Sequence, residues 1–415
     1  MSSIPRTDTS IHRAVAALGS GPFNACALKT HVWPLFSRTL SQQGTQIDLG
    51  NHSLSRPLDR TADDIAQGLR GWYADPASAW SAWHATQTHV NAMIAQLIHA
   101  PDGDCILPKS SAGQGLRAVL NALEPRSGAA LRVVSTQDEF DSLDFILRVY
   151  QQRGRIHLTQ IAPRDAQRTE ARYVTDDLIA GIRAGTDLVV LSSVLFRTGQ
   201  VLPQLAAVIA HAQQHGAKVL IDTYHHAGAL PLDVQALRAD FAVGGAYKYL
   251  RGGPGACWLY VHKNHLALRT LDTGWYAKAD RLAYQRTETP AFAAGGQAWH
   301  ESTPAMMPAY QTLAGLEFTL AMGVSRLHTY NTQQQQRLVR LFKESGLNAR
   351  GGQADHGAFV TLHHAQASAF AQSMQQRGVR CDARGDIVRF GPSILTSDAA
   401  LSSAAQIAQA VQRSL

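Results

Sequence analysis

Between residues 106 and 261 the chain repeats one pattern: a short apolar run, a turn, then a segment with helical spacing of apolar residues. Asp187 to Ser193 (DLVVLSS) and Lys218 to Asp222 (KVLID) are the clearest runs. A strand apolar on both sides needs cover on both sides, which is the condition inside a parallel sheet. The expected strands are Ile106 to Pro108, Leu131 to Ser135, Arg155 to Ile161, Asp187 to Ser193, Lys218 to Asp222, Phe241 to Gly244 and Cys257 to Val261. Helices are expected at Ser111 to Ala122, Glu139 to Arg153, Thr175 to Ala184 and Leu205 to His215. Thr175 can cap its helix, and Gly154, Gly185 and Gly216 stop theirs. The alternation predicts an open α/β sheet with helices on both faces.

After about residue 270 the pattern changes. Long helical patterns at Ala309 to Met322 and Ser325 to Glu344 precede a strand at Ala358 to Leu362. A helix at Ser368 to Arg377, a strand at Ile387 to Phe390 and a helix from Ser397 to the end follow. The expected division is an N-terminal segment (1–50), a large α/β domain (51–270) and a small α+β domain (271–415).

Composition bounds the function classes. With 415 residues, 45% hydrophobic and 17% charged, the chain can bury a core without disulfide staples. Its four cysteines lie far apart with no CxxC pair, so neither a disulfide framework nor a zinc ribbon is expected. No apolar run reaches the ~18 residues of a membrane span. The polar N-terminus and the broken apolar stretch after it do not read as a signal peptide. A cytoplasmic protein is expected. The net charge of +7 comes from scattered single arginines without a basic block. Such spacing suits phosphate and carboxylate partners, and no nucleic-acid partner is expected.

The chemistry concentrates between Val219 and Val261. Asp222 closes an apolar strand, where α/β sheets place ligand-binding groups. Lys248 is one of only seven lysines, and it sits between Gly244, Gly245 and Gly252, Gly253, Gly255. Alone, Asp222 also reads as a helix cap or a surface turn, and Lys248 reads first as a solvated loop lysine. Together they match what pyridoxal phosphate requires: an amine for the Schiff base and a carboxylate that keeps the pyridine nitrogen protonated. His225 and His226 stand beside Asp222, but no third ligand at suitable spacing follows, so no metal is expected.

The stretch resembles kynureninase, within the class V aminotransferase superfamily of fold-type I pyridoxal-phosphate enzymes. The resemblance rests on D-x-x-H at Asp222 and His225, on AGALPLD, and on ADFAVGGAYKYLRGGPGA around Lys248. It implies a large, mainly parallel seven-stranded sheet and a smaller α+β C-terminal domain. It implies pyridoxal 5'-phosphate on Lys248, with Asp222 at the ring nitrogen, His225 in support and Tyr247 as phosphate contact and proton relay. Further matches extend the set. Ser110, Ser111 and Ala112 occupy the phosphate cup at a helix start, where free N–H groups suit an anion. Phe140 matches the aromatic stacked on the ring, and Phe196 to Gly199 an aromatic-x-T-G turn. Trp275, and Ser302 with Thr303 and Pro304, match contacts made across a homodimer interface. Arg389 in VRFGPS matches the arginine on the substrate α-carboxylate. Asn51, His52 and Ser53 match the substrate-binding G-N-S-L signature, with one extra histidine. Trp72, Trp80 and Trp83 resemble a stretch flanking the aryl pocket, though their near-helical spacing also suits a core.

The implied activity is hydrolysis of the Cβ–Cγ bond of kynurenine or a related aryl-keto amino acid, giving an aryl acid and alanine in tryptophan catabolism. Departures fall around the side-chain pocket. Ala277 and Lys278 replace part of G-W-F-G-H, Leu143 displaces an acidic residue, and Glu301 opens the crossing segment. A β-lyase, desulfurase or aminotransferase of the same fold therefore stays open. A desulfurase needs a nucleophilic cysteine on a mobile loop, and Cys381 lacks the serine-cysteine-serine setting.

Overall fold

The computed structural model describes residues 9–126, 128–165, 171–284 and 286–415. The first eight residues of the expected N-terminal segment lie outside that range.

Seven strands form the main sheet: β1 (Ile106–Lys109), β2 (Leu131–Thr136), β3 (Ile156–Ile161), β4 (Leu188–Ser192), β5 (Lys218–Asp222), β6 (Phe241–Gly245) and β7 (Cys257–Val261). Their spatial order is β1-β7-β6-β5-β4-β2-β3. Only β7 runs against its neighbours. The buried central strands β4, β6 and β7 are the continuous apolar runs of the sequence. Edge strand β3 alternates buried and exposed positions, and Pro108 sits in the other edge strand, where a missing N–H is tolerated.

The six co-directed strands end on one edge of the sheet. Each βα turn there presents its residues to the same cleft, as open α/β sheets do. The helix Ala112–Leu120 lies close on the sheet: a Cβ on Gly115 would come within 2.6 Å of Val243 Cγ1.

A second sheet is built from β8 (Ala349–Arg350), β9 (Val360–His363), β10 (Asp382–Arg384) and β11 (Ile387–Phe390). It is antiparallel, in the order β10-β11-β9-β8. Its core joins Phe370, Met374, Leu401 and Phe342 from three helices. The N-terminal segment returns to this unit: Ile47–Asp48 pairs with Val379–Arg380, and Gly50 bridges Gly391.

The core of the large unit takes in residues beyond 270. Helix Met307–Met322 sits against the helices Arg60–Ala74 and Pro76–Ile98. Its Ala309, Tyr310, Leu313 and Leu316 share one buried cluster with Val189, Val219 and Ala242 of the main sheet. The strand–helix alternation stops at 270, but the apolar core of the large unit continues into this helix, whose buried residues lie on nearly every side.

Candidate active site

β6 ends in Gly244 and Gly245, where any side chain would strike Trp258 or Tyr224 (2.1 and 2.4 Å from the built Cβ). The chain then turns so that Lys248 points inward, 5% exposed. Its Nζ lies 2.8 Å from His225 Nε2. The rings of Phe140 and Tyr224 are each 5.4 Å away, and that of Tyr247 is 5.7 Å away. Burial pushes the Lys248 amine down to about 7; the Asp222 charge opposes this, and Arg389 and Arg384 add to it. Burial, then the Lys248 and Arg389 charges, hold His225 well below the ordinary histidine range. His225 is therefore neutral and accepts from Lys248 at Nε2. Its Nδ1 then carries the proton and faces the Tyr249 hydroxyl, 3.4 Å away.

Asp222 ends β5, one strand over, and is 5% exposed. Its Oδ1 accepts the Tyr224 amide at 2.8 Å, and no other hydrogen bond to this carboxylate occurs among the described residues. Burial raises its pKa, against the pull of that amide and of Lys248. A second carboxyl lies nearby. Glu139 accepts the Thr136 and Ser192 hydroxyls, both at 2.6 Å, and burial pushes it up to about 7.

Phe140 follows Glu139 and is only half-buried, edge-on to Phe196 at 5.4 Å. It faces Lys248 rather than the core. Ser111 caps the helix Ala112–Leu120 by accepting the Gln114 amide at 3.1 Å. The Gln114 side-chain Oε1 in turn accepts the Ser110 amide at 2.8 Å. The amides of Ala112 and Gly113 are left as first-turn donors. Cys257 ties this cup to the sheet through the Ser110 carbonyl, 3.3 Å away. Tyr247 is half-buried, and burial, followed by the Asp222 charge, pushes its hydroxyl up to about 12.

Arg389 is 3% exposed, and its guanidinium is already engaged. Nε donates to Asp382 Oδ1 at 2.8 Å, and Nη2 to Asp382 Oδ2 at 2.6 Å. Nη1 donates to the Phe196 carbonyl. Burial pushes the Asp382 carboxyl up, but His52 and Arg389 overcome it and hold it well below the usual range. His52, expected on the substrate, has no exposed surface; its Nε2 lies 3.0 Å from Asp382 Oδ1. Half-buried Asn51 accepts the Ser55 hydroxyl at 2.8 Å, and half-buried Ser53 closes a turn onto the Gly50 carbonyl at 2.9 Å.

Lys248, His225, Asp222, Tyr247 and Phe140 thus form one cluster, with Arg389 charge-coupled to its edge. Ser302 is exposed and lines a cleft with Ser110, Gln114 and Glu301 of the same chain. Trp275, 44% exposed, belongs to a separate aromatic surface running through Tyr276, His84 and Trp80 to Trp83. Among the described residues no ring contact joins Trp275 to Lys248. Among the described residues no three His, Cys, Asp or Glu side chains are grouped to hold a metal ion.

Tyr224, Tyr249, Glu139 and Asp382 escaped sequence reasoning. Asp382 had a usable signal: it faces Arg389 across the hairpin of β10 and β11, seven positions earlier in sequence. Tyr224 lies two residues beyond Asp222, the reach of an Asx turn.

Comparison with known proteins agrees with this architecture. A kynureninase of Geobacillus thermodenitrificans is 26% identical over 361 residues, covering 82% of each chain. One of Deinococcus radiodurans is 28% identical over 333 residues, covering 78% of this chain and 77% of that one. Among solved structures, the cystine C–S lyase C-DES with its product cysteine persulfide superposes with a TM-score of 0.79 at 20% identity, over 89% of this chain and 98% of that one. A cysteine desulfurase from Thermococcus onnurineus NA1 gives 0.77 at 16% identity, over 89% and 95%. The family profile described as Aminotransferase class-V matches residues 52–398. The chain belongs to the aminotransferase class-V family, with the fold-type I architecture and the pyridoxal 5'-phosphate cofactor of that family.

Proposed function

We propose that this chain is a pyridoxal-phosphate-dependent hydrolase that takes L-kynurenine or a related aryl-keto amino acid. Water adds to the γ-carbonyl, the Cβ–Cγ bond breaks, the aryl acid leaves with the water oxygen, and Cβ takes a proton to complete alanine. The observation that carries the reading is the buried Lys248 amine beside Asp222 at adjacent strand ends of this sheet. The relatives named kynureninase supply the direction toward this reaction.

The donor set fits the cofactor. Asp222 has one oxygen engaged and one free to hold a ring N–H. Lys248 has a buried amine within an aromatic shell, and Ala112 and Gly113 have helix-start amides for a phosphate. When bound, the cofactor supplies an electron sink for the substrate Cα. Lys248, poised at about 7, can take and return a proton at Cα near neutral pH. His225 is the neutral acceptor that orients that amine. Tyr247 keeps its phenolic proton through neutral pH and can donate it. Phe140 and Tyr224 exclude water around the amine. Arg389 is the candidate anchor for the α-carboxylate. Trp275 and Ser302, both exposed in the single chain, suit the shared sites of a homodimer. A cytoplasmic role in tryptophan catabolism follows from the same reading.

The second reading is another class V enzyme acting on a different amino acid. Leu143 favours it, because this residue packs fully in the core where the related motif has an acid. Desulfuration finds no support at Cys381, which is 9% exposed and pushed up to about 12 by burial and Asp382. Mixing holoenzyme with L-kynurenine and following anthranilate fluorescence separates the two readings. Release of anthranilate supports the hydrolase, and its absence beside turnover of another amino acid supports the second.

A further inference from the structure

The segment 49–55 is hydrogen-bonded to both halves of the site. The Asn51 amide donates to the Gly391 carbonyl at 3.2 Å, two residues beyond Arg389. The Ser55 amide donates to the Tyr247 carbonyl at 3.1 Å, next to Lys248. Between them His52 is wholly buried, tilted against the Phe359 ring at 5.1 Å. Burial, then the Arg389 charge, pushes His52 down to about 4, so it is neutral in ordinary buffers. Its Nδ1 has no partner among the described residues and faces Gly391, where a built Cβ would stand 2.5 Å away. The bare nitrogen is therefore Nδ1, and Nε2–H donates to Asp382 Oδ1.

Asp382 transmits this anchor. A guanidinium has five N–H groups. Three are used here, two by Asp382 and one by the Phe196 carbonyl. One N–H remains on each terminal nitrogen, which leaves only the end of the fork for an incoming carboxylate. Besides Arg389, the 21% exposed Asp382 side chain meets His52 at Oδ1 and Arg384 Nη2 at 3.5 Å from Oδ2, so His52 is its buried neutral partner.

We propose that His52 is a positioning residue for substrate carboxylate recognition: through Asp382 it orients the Arg389 guanidinium so that its end-on fork meets an α-amino acid. This rests on the reading of Arg389 as the carboxylate anchor. The extra histidine in the Gly50-Asn51-His52-Ser53 motif then has a function that packing alone does not supply. Replacing it leaves Asp382 to tilt the fork away from its ligand.

The test compares equilibrium binding of L-alanine and of ethylamine, the same molecule without the carboxylate, by titrating the cofactor absorbance of the holoenzyme. In His52→Ala, L-alanine binding is expected to weaken about tenfold, the scale of one well-placed charged contact, while ethylamine binding stays unchanged. His52→Gln, which restores an N–H donor, is expected to recover part of the loss and guards against a misfolded alanine variant. Equal weakening of both ligands, or no change in either, overturns the role of His52. Arg389→Ala separates the two claims. If it abolishes the preference for L-alanine while His52 variants do not, the anchor reading stands and the positioning role falls. If Arg389→Ala leaves the preference intact, both fall.

Discussion

Lys248 Nζ and His225 Nε2 are 2.8 Å apart, and each of the two residues is only 5% exposed. A lysine ammonium normally keeps its proton far above neutral pH. Here burial and a neutral acceptor make the two protonation states comparable near pH 7. The site therefore holds an amine ready to act as a nucleophile toward a carbonyl and as a base.

The rate at which apoenzyme takes up pyridoxal phosphate should rise with pH and level off above a midpoint near 7. The lowered Lys248 pKa sets the sign, since only the unprotonated amine attacks. Stopped-flow absorbance from pH 6 to 9 checks this. A rate still climbing tenfold per pH unit at pH 9 would mean an ordinary lysine.

Glu139 should make the protein less stable as pH rises. Its folded pKa, about 7, lies above its unfolded value of 4.5. The stabilisation is thus complete below 4.5 and is lost as pH rises through 7. Thermal melts at pH 5 and pH 8 should show a larger drop for the native chain than for Glu139→Gln. Parallel drops would contradict the assignment.

Gly115→Val should weaken cofactor retention without touching any cofactor-contacting group. The new Cβ enters the space of Val243 Cγ1 at 2.6 Å, so the helix Ala112–Leu120 must shift off the sheet. Overpacking of this kind costs about 1–3 kcal/mol. Urea midpoints and cofactor dissociation constants should both move, and an unchanged dissociation constant would detach this helix from the phosphate.

Cys381→Ala should leave turnover unaltered, because the thiol is buried and protonated. Loss of activity toward L-cysteine in this variant would revive the desulfurase reading.

Much of the fold was legible because buried parallel strands announce themselves. DLVVLSS and KVLID became β4 and β5, nearly to the residue. The packing of helix Met307–Met322 on the core of the large unit was not, because it arises only in three dimensions. The helices Arg60–Ala74 and Pro76–Ile98 were passed over, although Asp75, which accepts the Ala77 amide, followed by Pro76 at the first helical position is a plain start signal. Lys248 and Asp222 were visible because each follows a readable strand. Asp382 and His52 were not understood from sequence, since their meaning lies in a pairing 330 residues apart.

Lys248 is proposed to carry the cofactor, and the roles of the surrounding residues depend on it. Absorbance spectra of purified Lys248→Ala and native holoenzyme, each reconstituted with pyridoxal phosphate, test it directly. The variant is expected to lose the band near the visible edge that marks the lysine-linked cofactor, and with it turnover. A variant spectrum identical to the native one would contradict the account.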